Sequence, residues 1–227
     1  MARFHVIIPA AGNGSRMGAE TPKQYLSLQG KTLIQHVIEV FDLASEISSI
    51  NVILSADDIY WSSTYLNASS KAQVHYCGGD TRSVTVLNGL MAIEAQVAAN
   101  DWILVHDAAR PGLTLQLLNH FLQTLKHDEI GGLLALPLAD TLKRADREQR
   151  ISATVPRTDL WLAQTPQMFK YAKLKEALTK FNGAPTDEAE AIEALGLKPK
   201  LVTGELRNLK VTYPQDLAVL SALMPSE

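Results

Sequence analysis

Short apolar runs alternate along the chain with segments whose apolar residues recur every three or four positions. The runs from Phe4 to Pro9, Ile50 to Ser55, Gln73 to Cys77, Trp102 to His106 and Leu133 to Leu138 carry Val, Ile or Leu and are bounded by polar residues or Gly. That pattern predicts strands. Near-continuous apolarity predicts strands covered on both faces, as in a parallel sheet. Between them the period is helical. Thr32-Leu33-Ile34-Gln35 is a capping box, with Leu33, Ile34, Val37, Val40, Phe41 and Ala44 as the stripe that follows. Val84, Leu87, Met91, Ala95 and Ala98 make a second stripe, and Leu117, Leu118, Phe121, Leu122 and Leu125 a third. Pro214 followed by Asp216 and an apolar run starts a C-terminal helix. This alternation predicts an α/β fold on an open, mostly parallel sheet with right-handed crossovers. In such sheets the ligand crevice lies beyond the carboxyl ends of the strands, so the chemistry belongs just after each strand.

The stretch from Ala139 to Arg157 breaks the pattern. Lys143, Arg144, Arg147, Arg150 and Arg157 stand there against Asp140, Asp146 and Glu148, with few large apolar residues. It reads as a solvated loop or a protruding hairpin arm. A tolerated surface insertion and an arm that reaches a partner subunit both fit.

Composition narrows the classes. The 227 residues are 46% apolar and 20% charged, an ordinary globular balance for one domain. Lys plus Arg at 21 against Asp plus Glu at 24 gives a net charge of −3, which argues against a nucleic-acid-coating surface. The one cysteine, Cys77, excludes an intramolecular disulfide and any multi-cysteine metal site. No apolar run reaches membrane-spanning length, and the N-terminal apolar stretch runs into a Gly-rich polar loop rather than a signal-peptide pattern. A cytoplasmic enzyme or binding protein is the default expectation.

The first strand runs into Pro9-Ala10-Ala11-Gly12-Asn13-Gly14-Ser15-Arg16-Met17-Gly18 and then Pro22-Lys23-Gln24. Small residues let a backbone approach phosphate oxygens closely, and Arg16 and Lys23 add two cations. A dinucleotide fingerprint would need Gly where Met17 stands, and no P-loop Gly-Lys-Ser/Thr run occurs. A tight βα connection explains the loop as well as an anion site does. After the third strand comes Cys77-Gly78-Gly79-Asp80-Thr81-Arg82, either a base or ribose pocket or a Gly-Gly turn with Asp80 capping the next helix. After the fourth comes His106-Asp107-Ala108-Ala109-Arg110-Pro111. A carboxylate at a strand end suits a divalent metal with its phosphates, or a ribose hydroxyl; a salt-bridged turn is the plainer alternative. Thr186-Asp187-Glu188 reads most simply as a helix start. Lys210, inside an apolar strand-like pattern, needs an anionic partner. The six histidines lack zinc-ligand spacing, and there is no G-x-S-x-G elbow.

Taken in order, PAAGNGSRMG with PKQYL, GGDTR with NGL, VHDAARP, DTLKR, TPQMF, TDEAEAIE and NLKVT with PQDL cover nearly the whole chain. They resemble the 2-C-methyl-D-erythritol 4-phosphate cytidylyltransferase family. Ribitol-5-phosphate cytidylyltransferase is a close relative with the same Gly-rich loop and much of the same scaffold. The resemblance implies a single Rossmann-like nucleotidyltransferase domain over 1–227, with a β-hairpin arm at 139–157. It implies a magnesium-dependent transfer from CTP to methylerythritol phosphate, without a covalent enzyme intermediate. Arg16, Lys23 and Lys210 match the family's catalytic cations. Ala10, Ala11, Gly12, Gly14, Gly79, Asp80 and Thr85 match its CTP contacts, and Asp107 and Ala108 the ribose and metal neighbourhood, Asp107 reaching a metal directly or through water. Arg110, Thr141, Arg157, Thr165 and Thr186 match its polyol phosphate contacts.

In the family the arm exchanges between two subunits, so the resemblance implies a homodimer in which one chain's Arg157 serves the other's site. The chain departs from the family at Thr85, where Ser is usual, at Ser15, where a cation is common, and at Arg207, where an acid can occur. Two readings of other classes stand beside the enzyme. Arg16 and Lys23 argue against a non-catalytic nucleotide-binding module, and Met17 argues against a nicotinamide dehydrogenase.

Overall fold

The computed structural model describes residues 2–12, 21–61 and 69–224. In chain order the strands are β1 (Phe4–Pro9), β2 (Ser27–Leu28), β3 (Lys31–Thr32), β4 (Ile47–Leu54), β5 (Ala72–Tyr76), β6 (Trp102–Val105), β7 (Gly131–Pro137), β8 (Leu142–Ala145), β9 (Ile151–Val155), β10 (Trp161–Lys170) and β11 (Lys200–Thr203). The helices are α1 (Leu33–Leu43), α2 (Arg82–Ala92), α3 (Leu115–Leu125), α4 (Tyr171–Lys180), α5 (Glu188–Glu193) and α6 (Pro214–Leu223).

Seven strands form one sheet in the order β11-β7-β10-β6-β1-β4-β5. β1 pairs parallel with β4 and β6, β4 with β5, and β7 with β11. β10 is antiparallel to both neighbours, β6 and β7. The expected mostly parallel sheet is therefore present, and the five strands read from the sequence all lie in it.

Alternation along β1 explains the continuous apolar runs. Val6 and Ile8 face a core layer shared with Ile34, Phe41, Phe121 and Leu122 of α1 and α3. Ile7 faces the opposite layer, with Val86, Leu90, Leu174 and Ile192 of α2, α4 and α5. Both faces of the strand are buried, so neither face selects polar residues. The Thr32 capping box forms as the sequence predicts: the Thr32 side chain accepts from Gln35 N–H, and Thr32 N–H donates to Gln35 Oε1 at 2.7 Å.

Three expectations change. The buried face of α2 is Thr85, Val86, Gly89 and Leu90, while Val84 and Met91 face solvent, and Ala95 and Ala98 lie beyond the helix end. Apolar residues occupy nearly every phase of this helix, so periodicity alone selected the wrong face. The N-cap of α2 is Thr81, which accepts from Val84 N–H at 3.2 Å; it is not Asp80. Lys210 lies in a loop after the 3-10 turn Leu206–Asn208 and not in a strand.

β8 and β9 pair antiparallel into the hairpin arm read from Ala139–Arg157. Its residues are almost entirely solvent-exposed, and Asp146 Oδ1 at its tip accepts from the N–H groups of Glu148 and Arg150.

Candidate active site

The carboxyl ends of β1, β4 and β6, the turn after β5 and the loop before α6 converge on one cleft of about 550 Å³. Ala10, Ala11 and Gly12 line it from β1, Ser55 and Asp57 from β4, and Asp107, Ala108 and Ala109 from β6. Gly79 to Arg82 and Thr85 close another side, with Lys23, Gln24, Lys210 and Thr212.

Lys23 opens a 3-10 turn, Lys23–Tyr25, that is fastened on both sides. Buried Gln24 donates its Nε2–H to the Ala10 carbonyl at 2.7 Å. Tyr25 donates its hydroxyl to Asp58 Oδ2 at 2.9 Å and stacks on Tyr60 at 5.6 Å between ring centroids. The lysine therefore leaves from a backbone tied both to the Gly-rich loop and to the segment after β4.

The Gly-Gly turn is close-packed by necessity. A Cβ on Gly78 would lie 2.3 Å from Ala11 Cβ, in the cleft wall, and 2.8 Å from the Leu54 carbonyl oxygen at the end of β4. Thr85 fixes the turn from below. Its Oγ1 accepts from Gly79 N–H at 3.0 Å and donates to Thr81 O at 3.0 Å. Its proton is spent on the backbone, so Thr85 serves the cleft by holding Gly79. The added methyl relative to Ser leaves that role intact.

Asp107 is the charge centre. Its Oδ1 accepts from Arg82 Nε at 2.9 Å, and its Oδ2 lies 2.9 Å from Lys210 Nζ and 3.5 Å from Arg110 Nε. Burial alone would push this carboxyl up. The charges of Arg82, Lys210 and Arg110 outweigh it and hold the group well below the ordinary carboxylate range. Arg110 also donates to the carbonyls of Asn208 at 2.8 Å and Ala163 at 3.4 Å, binding β6 to the Lys210 loop and to β10.

Beneath Asp107 the buried His106 sets a proton order. Its Nε2 faces the Arg110 carbonyl at 3.1 Å, an acceptor, so Nε2 carries the hydrogen. Burial lowers the imidazole pKa to about 4, so the ring is neutral and Nδ1 is an acceptor. The Thr165 hydroxyl, 3.1 Å away, must donate to it. Thr165 Oγ1 in turn accepts from Asp107 N–H at 3.0 Å. Its remaining capacity is as an acceptor, suited to a hydroxyl donor rather than to a phosphate oxygen.

The structure thus gathers Ala10, Ala11, Gly12, Lys23, Gly79, Asp80, Thr85, Asp107, Ala108 and Lys210 around the cleft. Arg110 and Thr165 touch Asp107 from behind. Thr186 does not line the cleft: its N–H and hydroxyl both go to Glu190 Oε2 at the start of α5. Thr141 and Arg157 lie exposed at the root of the arm, away from the cleft of their own chain, with Arg157 donating to the Ala139 carbonyl. Gly14 and Arg16 lie outside the described residues. Sequence reasoning passed over Arg82, Gln24 and Asp57. The first two sit inside quoted motifs, in GGDTR and PKQYL; nothing in the sequence marks Asp57.

A profile of the 2-C-methyl-D-erythritol 4-phosphate cytidylyltransferase family matches residues 4–226. The chain belongs to that family. The enzyme of this name from Dechloromonas aromatica is 52% identical over 225 residues, 99% of this chain and 98% of the other. A crystal structure of a 4-diphosphocytidyl-2C-methyl-D-erythritol synthase superposes with a TM-score of 0.89 at 38% identity, covering 99% of this chain and 100% of that one. The family enzyme from Francisella tularensis gives 0.81 at 30% identity, with 98% and 100% covered.

A cytidylyltransferase of this kind is expected to work with a divalent cation. Asp107 is the buried carboxylate of the cleft, and both its oxygens already face cations. Among the described residues no group of three or more His, Cys, Asp or Glu side chains gathers as a metal cage. Asp107 Oδ1 faces Arg82 and its Oδ2 faces Lys210 and Arg110, so a cation beside this carboxylate would share it with them or reach it through water.

Proposed function

We propose that this cleft is where CTP is held and cleaved. As a member of its family, the chain transfers the cytidylyl group of CTP to 2-C-methyl-D-erythritol 4-phosphate, a step of isoprenoid biosynthesis. A phosphate oxygen of the polyol forms a bond to the α-phosphorus. The bond from that phosphorus to the β-phosphate breaks, and pyrophosphate leaves with the electron pair. The product is 4-diphosphocytidyl-2-C-methyl-D-erythritol.

The observation that carries this reading is the meeting of Lys23 and Lys210 with the glycine-bearing segments 10–12 and 79–80 in one cleft. Lys23 and Lys210, with Arg16, offset the charge that gathers on the transferring phosphorus, and Gly14 helps to hold CTP. Gly79, Asp80 and the Thr85-held turn receive the base, and Ala10, Ala11 and Gly12 approach the phosphates through their backbone. Asp107 and Ala108 face the ribose. No protein nucleophile is required, and catalysis rests on positioning and charge. Magnesium, on this reading, accompanies the phosphates of CTP rather than a protein cage.

The polyol phosphate lies between the cleft and an arm. Arg110 and Thr165 support it from behind Asp107. Arg157 and Thr141 sit on the exposed hairpin, so they would serve the cleft of a second copy in a homodimer. Thr186 would have to release Glu190 to contribute. A cytoplasmic setting suits the soluble co-substrate CTP, and no helix among the described residues is long and apolar enough to cross a membrane.

Pyrophosphate release over a panel of nucleotides and polyol phosphates tests the reading. CTP with methylerythritol phosphate is the expected pair. Turnover with ribitol 5-phosphate instead would move the chain to the neighbouring activity, and CTP binding without turnover on either would contradict an enzyme.

A further inference from the structure

Arg82 makes an arrangement that the transfer reaction does not by itself require. It is the first residue of α2, three positions after Gly79, and it lines the cleft. Its guanidinium is engaged by two protein carboxylates. Its Nη1 and Nη2 form a fork on Glu188 of α5, at 2.6 and 3.1 Å from Oε1 and Oε2, and its Nε binds Asp107 Oδ1 at 2.9 Å. Glu188 is wholly buried, so its charge is met by the guanidinium and not by water. Three elements, α2, α5 and the end of β6, are tied at one planar group. With Oδ1 held there, Oδ2 is turned to Lys210 Nζ at 2.9 Å.

We propose that Arg82 is a positioning residue for the transfer: clamped by Glu188, it fixes the Asp107 carboxylate so that Asp107 in turn holds the Lys210 ammonium at the phosphate end of the cleft. A lysine on a mobile loop is a poor electrostatic catalyst, because holding it in place costs entropy at the moment charge develops. A carboxylate that is itself free to rotate cannot hold it. A planar fork removes that rotation, which a lysine at position 82 could not, since an ammonium is a point charge without fixed fork geometry. Three of its five N–H donors are engaged by Glu188 and Asp107 before substrate arrives, which suits a holding role.

This inference rests on the proposed catalytic role of Lys210, and its test separates the two. In Arg82→Lys the charge stays and the fork is lost. A crystal structure of that variant should show Asp107 rotated and the Lys210 contact opened beyond salt-bridge distance. The intact contact would overturn the inference whatever the enzyme's activity. In kinetics, Arg82→Lys should lower kcat by about 10- to 100-fold with KM for CTP changed by less than about 3-fold, the mark of an interaction made in the transition state. Added to Lys210→Ala, the same change should cost less than about 3-fold more, because residues acting as a unit are not additive. Losses that multiply would overturn it. Glu188→Gln, which leaves the Arg82–Asp107 bond, should be milder than Arg82→Lys; the reverse order would mean that the pair only secures α5. An unaffected kcat in Lys210→Ala would instead sink the role of Lys210, and the structure of Arg82→Lys would still decide the positioning claim.

Discussion

At the scale of single residues, the cleft separates groups that meet substrate from groups that hold them. On the proposed function Lys23 and Lys210 are of the first kind. Lys23→Ala and Lys210→Ala should each lower kcat by about 10²- to 10³-fold, the range for losing one preorganised charge stabiliser, with both proteins still folded and Lys210→Ala the less stable because buried Asp107 loses one of its cations. Steady-state kinetics beside calorimetry checks both halves. His106 is of the second kind, and its burial makes stability depend on pH. The unfolded imidazole takes up a proton near 6.5, and the folded one, kept neutral by burial, only near 4. The unfolded state therefore binds more protons between these values. The stability His106 confers is complete above about 6.5 and is lost as the pH falls towards 4, by about 3 kcal/mol in all. Burial lowers His5 and His75 in the same direction. Denaturant midpoints across this window should fall for the wild type, and less steeply for His106→Gln; parallel curves would refute the assignment. Gly112 shows how tightly the lysine loop is seated: a Cβ there would lie 1.8 Å from the Arg207 carbonyl oxygen. Gly112→Ala should therefore displace the segment leading to Lys210 and reduce turnover, and a crystal structure of the variant would reveal the shift.

At the scale of elements, legibility followed how exclusively a local pattern allowed one structure. The Thr32 box could be read exactly because two reciprocal bonds need those two residue types at that spacing. Thr32→Ala should cost about 1 kcal/mol, a few degrees of melting temperature for a chain this long, without touching kcat. The strands β1 and β6 were plain because both faces are apolar. β10 was not, since Gln164, Thr165, Pro166 and Gln167 interrupt its apolar run where its register with β7 shifts, and β11 is only four residues long at a sheet edge. α2 was found but phased wrongly. Leu90, fully buried, should cost about 2–5 kcal/mol as Leu90→Ala, whereas half-exposed Met91 should cost less than about 1 as Met91→Ala. Chemical unfolding of the pair decides the phase. The candidate site was legible as post-strand motifs because an open α/β sheet puts ligands at that edge. The Arg82–Glu188 fork was not, because a long-range pair leaves no local spacing.

At the scale of the molecule, the arm poses the geometric question. Arg157 stands on an exposed hairpin and not in its own chain's cleft, and Ile151, Leu160, Trp161 and Leu162 expose apolar surface near the arm's root and along it. A homodimer with exchanged arms would cover that surface and complete the site. Mixing two inactive variants tests this. Lys210→Ala keeps a working Arg157, and Arg157→Ala keeps a working cleft, so each mixed dimer would rebuild one complete site of its two. After random re-association about a quarter of wild-type activity should return, since half the dimers are mixed. No recovery would mean that Arg157 serves its own chain or none.

The claim on which all of this stands is that the cleft cations and glycine turns hold the triphosphate of CTP for attack by a polyol phosphate. Pyrophosphate release by purified protein given CTP and 2-C-methyl-D-erythritol 4-phosphate measures it most directly. Rapid release by the wild type, lost in Lys23→Ala and in Lys210→Ala while both remain folded, is the predicted result. Undiminished release from both folded variants would contradict it.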